Sequence, residues 1–262
     1  MSAGLAGVAT TRGAAGLGDP GPAPAPAAAR RAVLDEGRAV PADASPAAAR
    51  TPVGGGPPTG VVSRLPGTGN SLALTVDDGT STEVVAALVE LARRTGLRLT
   101  FFPNGVYRSW ADNARALRPM IESGQVAVGN HTWSHPDLTT LGDREIADQL
   151  TRNQKFLRDT LGVAHTPFFR PPYGAHDARV DRIAADVGHP TVVLWYGTLG
   201  DDRVLTPAQV LAAAQQWFQA QHIVIGHANH PAVTHVTDQL VELIHARRLQ
   251  TVTLADVWPT RR

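Results

Sequence analysis

From about residue 65 onward the chain alternates short, strongly apolar runs with amphipathic stretches, and this alternation constrains the fold more than any other feature. The apolar runs are SLALTV (71–76), LRLTFF (97–102), QVAVGN (125–130), TPFFR (166–170), TVVLWY (191–196), HIVIGH (222–227) and LQTVTL (249–254). Between them lie helical patterns. The first starts near Thr80, where Thr80 and Glu83 have capping-box spacing; Val84, Leu88 and Leu91 form its apolar face, and Gly96 stops it. Residues 111–123 read as a helix. Residues 143–161 are amphipathic, with Ile146, Leu150, Leu157 and Leu161 on one face and Gly162 at the end. Residues 177–187, 206–220 and 233–247 complete the series. Strands that are apolar throughout, each followed by a helix, imply a parallel sheet covered by helices. About seven such units predict an α/β fold, a distorted (β/α)7-8 barrel somewhat small for its type.

The start of the chain is different. The first 60 residues hold 9 of the 20 prolines and 11 of the 25 glycines, and the first aromatic residue is Phe101. Ala/Pro/Gly low complexity cannot build a core, so residues 1–64 are expected to be a disordered arm and 65–262 the folded domain. Two readings stand for the opening MSAGLAGVAT: a plain tail, or the end of an export signal whose beginning is missing. The formal net charge is +1, without the basic excess of a nucleic-acid-binding chain. There is no cysteine, hence no disulfide framework or thiolate chemistry. No run approaches the roughly 18 apolar residues of a membrane span.

In a parallel barrel the carboxyl ends of the strands carry the chemistry. After the first strand come Asp77 and Asp78, adjacent carboxylates that repel unless something positive is near. After the third comes HTWSH, His131 to His135. RPPYG, Arg170 to Gly174, follows the fourth, and WYGTLGDD, with Asp201, follows the fifth. His227 closes the sixth. Singly, each has a plain structural explanation as a turn, a cap or a satisfied histidine. All five falling at strand ends is poorly explained by coincidence. One Asp and two neutral imidazoles suit Zn²⁺ or another borderline divalent metal. A second carboxylate can act as base, an arginine can hold that base, and a histidine can protonate a leaving group. A stiff Pro-Pro-Tyr backbone can present an N–H to an oxyanion. Together these point to metal-assisted hydrolysis of an acyl group.

These motifs, in this order and spacing, resemble those of the polysaccharide deacetylases, the NodB-homology domain of carbohydrate esterase family 4. The resemblance covers roughly residues 68–258 and includes LTFFPNG (99–105) as the second strand. It implies that Asp77 is the general base and that Asp78, His131 and His135 are the metal ligands. It further implies that Arg170 orients the base, that the Tyr173 backbone N–H stabilises the oxyanion, that His227 is the general acid and that Asp201 tunes it. Ile225 would line the acetyl-methyl pocket. The sequence departs from the family pattern at Val76, where an aromatic is usual and which should point into the core. It departs again in the fourth motif, where Thr198 and Asp202 stand in place of Asp and Trp; Trp195 is the aromatic that would compensate. Two readings stand for Asn229 and His230 after His227, contact with substrate or the shaping of a turn, and the turn is the preferred one.

The function so implied is removal of N-acetyl groups from a GlcNAc-containing polysaccharide, peptidoglycan or a chitin-like oligomer, with Zn²⁺ (Co²⁺ or Ni²⁺ as substitutes). O-acetyl ester hydrolysis on acetylated xylan would use the same machinery, and a non-catalytic carbohydrate-binding barrel is a third reading. The expected partner is the acetylated polysaccharide, with no nucleic acid and no transmembrane segment. The chain is expected to act as a monomer, outside the cell or at its wall.

Overall fold

The computed structural model describes residues 55–259; the expected disordered arm and both readings of the opening residues lie outside the described residues, up to residue 54. The elements follow one another as β1 (Gly60–Val62), β2 (Ser71–Asp78), α1 (Thr82–Thr95), β3 (Leu99–Pro103), α2 (Ser109–Asp112), α3 (Ala114–Glu122), β4 (Val126–Val128), α4 (Asp143–Leu161), β5 (Phe168–Phe169), α5 (Ala178–Asp186), β6 (Thr191–Val193), β7 (Gly197–Thr198), α6 (Pro207–Trp217), β8 (Ile223–His227), α7 (Thr237–Ala246), β9 (Gln250–Thr251) and α8 (Leu254–Val257). All named strand pairs are parallel. One group runs β4-β3-β2-β8-β7, with β9 on β2, and the other runs β1-β6-β5. Single bridges join them, parallel between Asn130 and Phe169 and antiparallel between Arg64 and His222. The result is the expected distorted barrel of parallel strands with helices.

Alternation along β2 explains how the sheet serves two cores. Leu72 and Val76 pack into the layer between sheet and helices with Val84, Leu88 and Leu240. Ala73 turns the other way, into a cluster with Phe102, Phe168, Ile223 and Trp258. By the same period of two, Thr75 and Asp77 face inward. Val76 is buried, as expected of it. The strand ends at Gly79, whose φ of +95° favours glycine. Its missing side chain leaves room for the indole of Trp110, which donates to the Asp78 carbonyl at 2.7 Å.

Several details differ from the sequence expectation. The folded region begins before residue 65, because Gly60–Val62 pairs with Thr191–Val193; a three-residue strand beside Pro and Gly gives no periodicity to read. The cap of α1 is Ser81, which accepts from the Val84 N–H, and not Thr80. Residues 111–123 break into α2 and α3 at Asn113. The stretch before α7 is a 3-10 turn over Pro231–His235, so the helix starts at Thr237 rather than 233. The last strand is cut short at Thr251, because Thr253 caps α8.

Gly79→Ala forces a side chain into the Trp110 ring at a left-handed φ. It is expected to destabilise the fold by about 2 kcal/mol or more, measured by urea unfolding against Gly96→Ala, where the φ is also positive but the space is open.

Candidate active site

Asp77 and Asp78 end β2, and register sets their neighbours: Asp77 lies opposite His227 on β8 and opposite Phe102 on β3. The alternation that turns Asp77 inward would turn Asp78 outward. A φ of +68° at Asp78 breaks that alternation, and both carboxylates approach the same imidazole. His131 Nε2 is 3.5 Å from Asp77 Oδ2 and 3.3 Å from Asp78 Oδ1; His135 Nε2 is 3.4 Å from Asp78 Oδ1. Thr132, His135 and Tyr173 also have positive φ, near 60–70°. Four such non-glycine residues around one site mark backbone held in place by its surroundings.

Those surroundings are a buried polar network. Asn130 Oδ1 accepts from Thr132 N–H at 3.0 Å and from Asn153 Nδ2 at 2.9 Å. Asn153, on α4, also donates to the Pro103 carbonyl and accepts from Gly105 N–H. Asn104 donates to the carbonyls of His131 and Thr132. Burial pushes His189 down to about 4, so it is neutral; with Nδ1 facing the Thr166 carbonyl at 2.7 Å, its Nε2 accepts from Asn130 at 3.0 Å. His131 Nδ1 is 2.7 Å from the Arg170 carbonyl. That contact fixes the tautomer and leaves Nε2 free to ligate.

Arg170 follows β5 and is wholly buried. Its guanidinium donates to Asp77 Oδ1 at 2.6 Å, to Thr75 Oγ at 2.8 Å and to the Val193 carbonyl at 3.0 Å. Burial pulls it below its ordinary value and the Asp77 carboxylate opposes the fall. One oxygen of Asp77 is thereby held, and the other faces the site. His227 Nδ1 is 3.0 Å from Asp201 Oδ1. Burial alone would lower the His227 imidazole, but the hydrogen bond to Asp201 and the charges of Asp77, Asp201 and Asp78 outweigh it and raise it.

Asp78, His131 and His135 bring three ligand atoms within 4.8 Å of one another. Asp78 Oδ1 is buried without a hydrogen-bond partner. Burial would raise the Asp78 carboxyl, yet His131, His135 and Asn229 hold it far below the usual carboxylate range. For His131, burial is outweighed by Asp77 and Asp78 and the imidazole is raised; for His135, burial and the neighbouring His131 prevail and it is lowered. A cradle with an orphaned carboxylate oxygen and two convergent imidazole nitrogens fits a divalent cation of borderline softness.

A cavity of about 510 Å³ opens over this cradle, lined by Tyr173, Trp195, Thr198, Asp202, Ile225 and His227 among others. The structure brings Asp77, Asp78, His131, His135, Tyr173, Trp195, Ile225 and His227 together around this cavity, with Arg170 beneath it on Asp77 and Asp201 behind His227. Tyr173 lines the cavity and is 71% exposed, with its ring T-shaped to that of His135 at a centroid distance of 4.6 Å. The sequence reading missed Asn104, Asn130, Asn153 and His189. One signal was present: Asn153 interrupts the apolar stripe of α4 between Leu150 and Leu157, and a polar residue there needs buried partners. Asn229 does more than shape a turn, because its Nδ2 donates to Asp78 Oδ2 at 2.7 Å.

Residues 64–192 match the polysaccharide deacetylase family model. The chain is 39% identical over 127 residues to chitin deacetylase 1 of Cryptococcus neoformans, covering 48% of this chain and 26% of that protein. It is 34% identical over 128 residues to the peptidoglycan-N-acetylglucosamine deacetylase PgdA of Listeria monocytogenes, covering 49% and 26%. The matched segment thus spans about a quarter of each relative. The fold is shared with BA3943 of Bacillus anthracis, a pseudoenzyme of carbohydrate esterase family 4, at a TM-score of 0.67 and 21% identity, covering 78% of this chain and 71% of that one. Residues 64–192 therefore belong to the polysaccharide deacetylase family, and the fold is the one seen in carbohydrate esterase family 4.

Removing Arg170 strands a buried carboxylate. Arg170→Leu is expected to destabilise the fold by about 3–5 kcal/mol, measured by denaturant unfolding, and a loss below about 1 kcal/mol would show that Asp77 does not depend on it.

Proposed function

We propose that this protein is a metal-dependent deacetylase that hydrolyses N-acetyl groups of a GlcNAc-containing polysaccharide, peptidoglycan or a chitin-like polymer. The observation that carries this reading is the joint presence of a base, an acid and a ligand triad at one mouth: Asp77 held by Arg170, His227 backed by Asp201, and Asp78 with His131 and His135. The similarity to peptidoglycan and chitin deacetylases supports the substrate class. Shared fold alone would not, since a pseudoenzyme has it too.

Asp78, His131 and His135 would hold the metal, and their mixed N/O donor set suits Zn²⁺. When bound, the metal supplies Lewis acidity toward water and toward an acyl oxygen. Asp77 takes the proton of the attacking water through the oxygen that Arg170 leaves free. Arg170, locked by Thr75 and Val193, keeps that oxygen aimed. The Tyr173 backbone N–H, on the stiff Pro171-Pro172 turn, faces the oxygen that gains charge. His227 gives a proton to the departing nitrogen, and Asp201 keeps the imidazolium available. Trp195 and Ile225 form the apolar wall for the acetyl methyl group, and the Tyr173 ring offers a stacking surface for a sugar. A polymeric substrate of this kind places the enzyme outside the membrane or at the cell wall. Among the described residues no helix is long and apolar enough to cross a membrane.

Acetate release from N-acetylated chito-oligosaccharides, peptidoglycan and O-acetylated xylan tests the assignment. Release from the first two is expected; release from xylan alone would make the protein an O-acetyl esterase, and none from any would point to a binding module. Asp77→Asn is expected to lower turnover by about 10²–10⁴-fold while zinc remains bound, whereas His131→Ala should lose zinc and activity together. Normal zinc content in His131→Ala would displace the ligand assignment. Asp201→Asn removes the partner that raises His227. A raised imidazole stays protonated to higher pH, so the alkaline limb of the kcat/KM profile should move to lower pH in this variant; an unmoved limb would separate His227 from the acid role.

A further inference from the structure

Asn229 has no part in the hydrolysis set out above, yet among the described residues it is the one side chain that ties the loop after β8 to the Asp78 carboxylate. Its Nδ2 donates to Asp78 Oδ2 at 2.7 Å. Its Oδ1 accepts twice from one residue, from the Thr80 N–H at 3.1 Å and the Thr80 hydroxyl at 2.9 Å. Those two donors settle which way the amide points: with Oδ1 committed to Thr80, only Nδ2 can face Asp78. Main-chain bonds pin the same two loops together, Ala228 N–H to the Asp77 carbonyl at 3.0 Å and Ser81 N–H to the Ala228 carbonyl at 3.1 Å.

The two oxygens of Asp78 are thereby made unequal. Oδ2 is taken by Asn229, while Oδ1 is buried, has no hydrogen-bond partner, and lies 3.3 and 3.4 Å from the Nε2 atoms of His131 and His135. An unrestrained carboxylate can offer both oxygens to a cation and occupy two of its positions. A hydrolytic site needs those positions open for water and substrate. We propose that Asn229 is the positioning residue of the metal cradle: it occupies Asp78 Oδ2, presents Oδ1 alone to the metal, and so keeps the site open. Because Asn229 lies two residues beyond His227, the same bond sets the metal ligand and the general acid on one rigid unit formed by the ends of β2 and β8. Bonds of this kind to a ligating side chain typically alter metal affinity 10–100-fold.

This inference rests on the reading of Asp78, His131 and His135 as metal ligands, and its test separates the two. Zinc affinity of the full chain is measured by competition with a chromophoric chelator, and coordination by the visible absorption of the Co²⁺-loaded protein. Asn229→Ala removes both roles of the amide. Asn229→Asp keeps an acceptor for Thr80 and loses the donor to Asp78, which isolates the orienting bond from the staple between loops. Both variants are expected to bind zinc 10–100-fold more weakly than the parent and to show a changed Co²⁺ spectrum. Wild-type affinity and spectrum in Asn229→Asp would overturn the inference while leaving the metal site intact, as would the same result in Asn229→Ala. Failure of the parent chain to bind zinc at all would overturn the metal reading and this inference with it.

Discussion

Two carboxylates side by side at the end of a buried strand are untenable without compensating charge, and the site is organised around meeting that demand. Arg170 answers for Asp77 with a fully buried ion pair at 2.6 Å. The Asp78 carboxylate is answered by two imidazoles and an amide. Each partner arrives from a different strand end, β4 for the histidines, β5 for the arginine and β8 for the asparagine. The barrel is therefore the means by which residues distant in sequence share the burden of one electrostatic problem. A buried pair of this kind adds little net stability over an apolar substitute, though losing one member is severe, which makes it a specifying device rather than a source of stability.

Much of this was legible in the chain. Strand and helix existence came from apolar runs and 3.6-residue stripes, and the strand-end rule then grouped Asp77, Asp78, His131, His135, Arg170, Asp201 and His227 without any coordinates. What was not legible falls into two kinds. Very short elements escaped because Gly60–Val62 and Gly197–Thr198 are too brief to show a period. The supporting polar network escaped because Asn104, Asn130, His189 and Asn229 gain meaning only from neighbours far along the chain. The choice of Ser81 over Thr80 as helix cap belongs with these: Thr80 spends its donors on Asn229, a partner that capping-box spacing takes no account of.

The fourth motif shows how far fold and chemistry can part. Thr198 and Asp202 line the cavity where the family resemblance led one to expect an acid and an indole, yet Asp201 still reaches His227 and Trp195 still supplies an aromatic wall. The His227–Asp201 hydrogen bond is thus made even though the cavity wall beside it departs from the family pattern. The same architecture occurs in a pseudoenzyme of carbohydrate esterase family 4, so the fold alone does not carry activity, and the proposed function rests on the side chains at the strand ends.

The most direct test of the central claim is a zinc titration of chelator-treated protein, followed by acetate release from an N-acetylated chito-oligosaccharide. The account predicts no release from the stripped protein and a linear recovery that breaks at one zinc per chain. Release that persists undiminished after stripping, or fails to return as zinc is added back, would contradict it.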